Sequence, residues 1–270
     1  MPHFDWYQAT IAVAPQTLGE ALLDALPGAH GFKAGRGRNN YHHSMAVLDS
    51  DGETLATVLH GGPNGDPNAW ASGERAEAFA EVIRRLWPEA HRPTRIDSAA
   101  DLLADYPTVR DRCRALAAPS RVSGFEIAAH GPEKGSTDYL GSKSARVQHR
   151  LYEKGKQMAG LVVDPSTVPA NWLRLETQWR PDKSARAVAS TVTPGEVWGV
   201  SPWVQAIARE VIGTNPERLR SRPKLLTDFE RCHRAMLTMF GPHLTALFAR
   251  HGNDAEAVGR LLLADLEVPL

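Results

Sequence analysis

Cysteine is nearly absent from this 270-residue chain: Cys113 and Cys232 stand alone, each in a helix-like context. Two are too few for a disulfide framework or a structural zinc site, so both read as reduced thiols. Net charge is absent as well, with 31 Lys and Arg set against 31 Asp and Glu. That balance excludes a uniformly basic coat, and any nucleic-acid surface has to be local, with compensating acids elsewhere. No run approaches the roughly 20 apolar residues of a membrane span, and the first residues lack a charged segment followed by an apolar one. A cytoplasmic protein with no membrane partner is the expectation. Phosphate-loop and nucleophile-elbow motifs (GxxxxGK[ST], GxSxG) are missing too, as are internal repeats and low-complexity tracts.

What is present is an ordinary globular composition, 42% hydrophobic and 23% charged, in a chain long enough for a sizeable core. Residues 4–14 (FDWYQATIAVA) have a strand-like content, and Pro15 opens an amphipathic helix to Leu26. A Gly-rich basic stretch, residues 31–44, leads into a predicted hairpin, MAVLD and ETLATVLHGG around Ser50, Asp51 and Gly52. Ser72 is expected to cap a helix that carries Ala76, Phe79, Ala80, Ile83 and Leu86 and closes at Pro88. A strand over 94–102 and a short helix over 108–118 follow. Strands are then expected at 123–130, 136–141, 145–154 and 171–181, with helices from about Ser184 onward.

Consecutive strands with helices grouped elsewhere predict an α+β fold, a central antiparallel β-sheet with packed helices followed by C-terminal helices. Near the end, Leu225, Phe229, Cys232, Met236 and Phe240 recur at helical spacing, and Leu244, Leu247 and Phe248 continue beyond a Gly241–Pro242 break. That stripe reads as the core of a helical hairpin or small bundle.

Period two sorts each strand into faces. Along 145–154 one face carries Arg146, Gln148, Arg150, Tyr152 and Lys154, so Tyr152 stands between two cations. Positive charge favours the phenolate, which suits a nucleophile or a phosphate site. The same pattern also suits a half-buried strand tyrosine beside surface cations. Along 172–180 one face carries Arg174, Glu176, Gln178 and Arg180, and along 94–101 one face carries Arg95, Asp97 and Asp101. Such carboxylates suit a hard cation such as Mg²⁺, or simple ion pairs with neighbouring arginines on a solvated face.

Three segments resemble one family. TDYLGSKSARVQHRLYEKGKQ (137–157), WLRLETQWRP (172–181) and TRIDSAADL (94–102) are similar to motifs of the replication initiation factor family, the rolling-circle Rep proteins of plasmids and filamentous phages. Relaxases of integrative elements share these motifs. The similarity runs from about Phe4 to Ile212, and its motifs fall in the family's order.

The resemblance implies a catalytic nicking domain over residues 1–213, followed by a C-terminal helical region over 214–270. It implies a metal-assisted strand transferase that nicks and rejoins origin DNA, single-stranded or cruciform, through a 5′-phosphotyrosine, with a host helicase and DNA polymerase as further partners. Tyr152 is then the nucleophile, with Arg150 and Lys154 gripping the scissile phosphate. Asp97, Glu176 and Asp101 become the candidate ligands of Mg²⁺ or Mn²⁺, and Lys143, Arg146, Arg174 and Arg180 the contacts to the strand. A mobilisation relaxase with the same chemistry, or an origin-binding protein that does not cut, are the alternatives.

Overall fold

The computed structural model describes residues 1–128, 135–220 and 228–265. Strand β1 (His3–Ile11) precedes helix α1 (Pro15–Ala25), whose first turn accepts Pro15 because the N–H lost there has no helical partner. Next come β2 (Ala29–Arg36), β3 (His43–Asp49), β4 (Thr54–His60), β5 (Asn68–Ser72), α2 (Arg75–Leu86) and the long β6 (His91–Leu103). Helix α3 (Tyr106–Ala117) starts where the Asp105 carboxylate accepts the Thr108 N–H, satisfying one of its open donors. Strands β7 (Gly124–Ala128), β8 (Ser136–Leu140) and β9 (Val147–Tyr152) follow, then α4 (Lys154–Ala159), β10 (Trp172–Trp179), α5 (Arg186–Ala189), α6 (Pro194–Val197) and α7 (Pro202–Ile207). These elements form one compact unit, residues 1–222. Helices α8 (Asp228–Arg250) and α9 (Ala255–Asp265) belong to a second, residues 223–270.

Among the described residues ten strands join one sheet in the order β2-β3-β4-β5-β1-β6-β10-β9-β8-β7, and each of these pairings is antiparallel. The fold is α+β, with helices packed on the sheet and further helices at the C-terminus. After β6 the chain crosses to the far edge and returns as a meander, so β10 docks against β6. Three segments far apart in sequence thereby become neighbouring strands.

Helix side chains such as Leu18, Leu22, Phe79 and Ile83 bury against Tyr7, Ile11, Val58 and Ile96. Cys113, Val204 and Ile207 bury against Leu140, Leu151, Leu173 and Leu175. Each fully buried Leu or Ile contributes about 1.5–3 kcal/mol, and a one-residue slip of any of these strands would turn the set outward. Alternation leaves Trp6, Arg95, Asp97, Arg150, Tyr152, Arg174 and Glu176 on the opposite face.

Some local expectations are corrected. Ser72 ends β5 instead of capping a helix, and α2 begins three residues later; Leu86 is exposed. The Gly-rich basic stretch contributes β2, whose residues are mostly exposed at the sheet edge and so carry little apolar signal. Helix α8 runs through Gly241 and Pro242 without a break. Phe229, Cys232, Met236 and Phe240, read as core, are exposed, because a unit of two helices has too few elements to cover every apolar stripe. Ala129, His130 and Leu225 lie outside the described residues.

Candidate active site

The register of β6, β10 and β9 builds the site. Glu176 stands opposite Arg150 on one side and Ala99 on the other, Gln178 stands opposite Asp97, and Arg174 lies between Tyr152 and Asp101. Directly opposed side chains on one face sit about 4.5–5.5 Å apart at Cβ, close enough for the long polar groups to meet.

They meet around two guanidinium groups. Arg150 pairs with Glu176 Oε2 and reaches Asp97 Oδ2 at 3.4 Å. Asp97 is fully buried and also accepts from Arg95 Nε at 2.9 Å and Gln178 Nε2 at 3.2 Å. The second group, Arg174, grips Asp101 through Nε at 2.7 Å and Nη2 at 2.8 Å, and bonds Asp5 at 3.2 Å. The Tyr152 hydroxyl donates to Glu176 Oε1 at 2.7 Å. A cavity of about 520 Å³ opens over this network, lined by Tyr152, Glu176, Asp97, Arg150, Arg174 and Lys154 together with residues of β1 and of the turn after β5.

Electrostatics here differ from the expectation of a phenolate between two cations. Burial, then the Glu176 carboxylate, pushes the Tyr152 phenol far above the usual tyrosine value. The Arg150 charge is spent on Glu176 and Asp97, and Lys154, past the end of β9, donates to Gln157 Oε1 at 3.0 Å. Burial raises the Glu176 carboxyl too, against the Arg150 charge that lowers it. Burial, then the nearby Arg174, lowers Lys154 below the ordinary lysine value. Tyr152 is thus a neutral donor aimed at a buried acceptor, an arrangement that can pass the phenol proton to Glu176 when the oxygen attacks an anion held by the cations.

Asp97, Glu176 and Asp101 do not form one ligand set for Mg²⁺ or Mn²⁺. Arg150 lies on both Asp97 and Glu176, while Asp101 is held in two-point contact by Arg174 and does not line the cavity. Among the described residues no three His, Cys, Asp or Glu converge as metal ligands. A divalent ion would have to displace a guanidinium from a buried carboxylate.

Of the strand contacts expected from the sequence, Lys143 and Arg180 line a neighbouring cavity with Arg95 and Arg150, and Arg174 lines the main one. Arg146 precedes β9 and so lies outside its alternation; it pairs with Asp182 at 2.7 Å and lines a cavity with Trp179 and Ala185. Trp179 belongs to the helix-side core. Sequence reasoning missed Asp5 and Trp6. A bulge between Phe4 and Trp6 breaks the period of β1 and lets both adjacent residues line the cavity. Arg95 lies over the Trp6 ring at 4.4 Å, and Trp6 stacks on Trp70 at 5.9 Å between centroids.

Two glycines explain parts of the motifs. Gly141, in YLGSKS, has φ +84° and turns the chain between β8 and β9, and a Cβ there would lie 2.9 Å from the Val147 carbonyl oxygen. Gly155, beside Lys154, passes so close to the Pro169 carbonyl that any side chain would collide with it.

Fold and site together define an α+β protein whose sheet face carries a tyrosine–carboxylate–arginine network in a cavity lined by both cations and acids. No family model and no curated protein matches the chain. Among solved structures it is similar to a rolling circle replication initiator protein from Geobacillus stearothermophilus, with a TM-score of 0.52 and 22% identity over 85% of this chain and 90% of that one. At that identity the likeness establishes a shared fold.

Proposed function

We propose that this protein initiates rolling-circle replication by nicking one DNA strand at an origin and later rejoining it. The observation that carries the reading is the Tyr152–Glu176 hydrogen bond inside a cavity rimmed by Arg95, Arg150, Lys154 and Arg174. The fold shared with a rolling circle replication initiator, and the three motifs that meet at this cavity, support it.

In the proposed reaction the scissile phosphate enters the cavity and its oxygens face Arg150, Arg174 and Lys154. Glu176 takes the phenol proton as Tyr152 Oη bonds to phosphorus, and the bond from phosphorus to the 3′ oxygen breaks. Lys154, lowered by burial, is placed to protonate the departing 3′ oxygen. The products are a 5′-phosphotyrosine and a free 3′ hydroxyl for polymerase to extend. A phenol leaves more readily than an alcohol, so an incoming 3′ hydroxyl can reverse the step.

The test is covalent capture. Single-stranded oligonucleotides tiling the DNA around the protein's own gene are incubated with it, and a denaturing gel is scored for a protein–DNA adduct. An adduct that disappears in Tyr152→Phe supports strand transfer; binding of the same oligonucleotides with no adduct under any condition points to an origin binder that does not cut.

A further inference from the structure

Next to the Tyr152 cavity, on the same sheet face, lies a second one of about 350 Å³. An aromatic pair lines it: Phe125 on β7 stands opposite Tyr139 on β8 and stacks on it, centroids 5.0 Å apart and planes within 11°, which leaves each ring one outer face. Phe125 is 45% exposed and its strand neighbour Ile127 is 54% exposed. Lys143 and Arg180 line the cavity together with Arg95 and Arg150, whose guanidinium groups are already paired with Asp97 and Glu176, and no acid among the described residues lines it. Gln148 and Gln178 add neutral hydrogen-bonding groups. A flat apolar surface ringed by cations and free of carboxylates matches a stacked base with its phosphate.

We propose that this cavity is a stacking subsite for one unpaired nucleoside of the DNA strand, adjacent to the nucleotide whose phosphate Tyr152 attacks. The inference rests on the proposed strand-transfer reading for its placement. Arg95 and Arg150 line both cavities, so a strand passing from one to the other keeps its phosphates beside a guanidinium throughout. The volume sits near the lower end of the roughly 300–1,000 Å³ of small-molecule sites, room for a nucleoside and not for a base pair. Stacking on Phe125 requires a free base face, which a paired and stacked duplex does not offer, so the subsite selects single-stranded DNA with little base preference.

Two measurements on the full chain in the Tyr152→Phe background, where no chemistry occurs, test this. In the first, 5-iodouracil is stepped through a single-stranded oligonucleotide, and photocrosslinks are mapped by mass spectrometry. The expected result is crosslinking to Phe125 or Tyr139 from a narrow window of positions. In the second, anisotropy reads the affinity for a labelled oligothymidylate. Phe125→Ala is expected to weaken binding about tenfold while Phe125→Trp keeps it, with unchanged circular dichroism in both. Wild-type affinity in both Phe125→Ala and Tyr139→Ala, or crosslinks confined to other strands, would overturn the subsite. Strand transfer is judged separately by the Tyr152 adduct, so either idea can fail while the other stands.

Discussion

The hydroxyl of Tyr152 and the carboxylate of Glu176 meet at 2.7 Å although they lie 24 residues apart, because β9 and β10 pair in the register that sets Glu176 opposite Arg150. Glu176 Oε1 accepts the phenol hydrogen bond while Oε2 accepts from Arg150. One carboxylate therefore links the nucleophile candidate to Arg150.

Glu176→Gln should slow adduct formation about 10²–10⁴-fold without abolishing it, the usual contribution of a positioned base. In the wild type the rate should rise with pH through the Glu176 pKa, which burial sets above the ordinary glutamate value. The measurement is the pH profile of adduct formation under single-turnover conditions. A Gln variant that keeps the acidic limb removes Glu176 from the proton transfer.

Arg150→Met leaves the buried Glu176 carboxylate without a cation, while Asp97 keeps Arg95, and should cost about 3–5 kcal/mol. The loss should shrink as pH falls, because a protonated Glu176 needs no cation beside it. Urea unfolding at pH 5 and pH 8 measures this; an equal loss at both would show that the Glu176 charge is not what Arg150 compensates.

His149 sits on the opposite face, edge-on to Trp198 and Trp203, with Nδ1 bonded to Thr177 Oγ1 at 3.2 Å. Burial, then Arg150, pulls it down to about 3. A histidine that stays neutral when folded but titrates near 6.5 when unfolded adds stability above that value and loses it as pH falls toward 3. The slope from this one group approaches about 1.4 kcal/mol per pH unit. His149→Phe should flatten the stability profile between pH 6.5 and 3, as read by thermal melts, and a profile as steep as wild type would contradict it.

The two cysteines should differ sharply. Cys113 is buried in α3, its thiol pushed up to about 12 by burial and then Asp138, whereas Cys232 is exposed. Titration with an aromatic disulfide reagent should release one equivalent from native protein and two in denaturant.

Side-chain alternation along 94–101, 147–152 and 172–179 was readable from the chain alone, because period two is local and the helix-facing positions, apart from Ser98, His149 and Thr177, are apolar. The same pattern marked the α+β class and brought Asp97, Arg150, Tyr152 and Glu176 to notice. β5 escaped, since NAWAS is short and its neighbours are turn residues. Asp5 escaped because a bulge, which depends on pairing with β6, carries it into the cavity.

Which strand lies beside which is not written in any local period. Placing β10 between β6 and β9 turned three separate patterns into one cavity, gave Arg150 to two acids, and set a carboxylate on the Tyr152 hydroxyl. The residue types and their faces belong to the linear sequence. The protonation of Tyr152, and the arginines that lie where a metal was expected, follow from burial and cross-strand charge, which exist only once distant segments are paired.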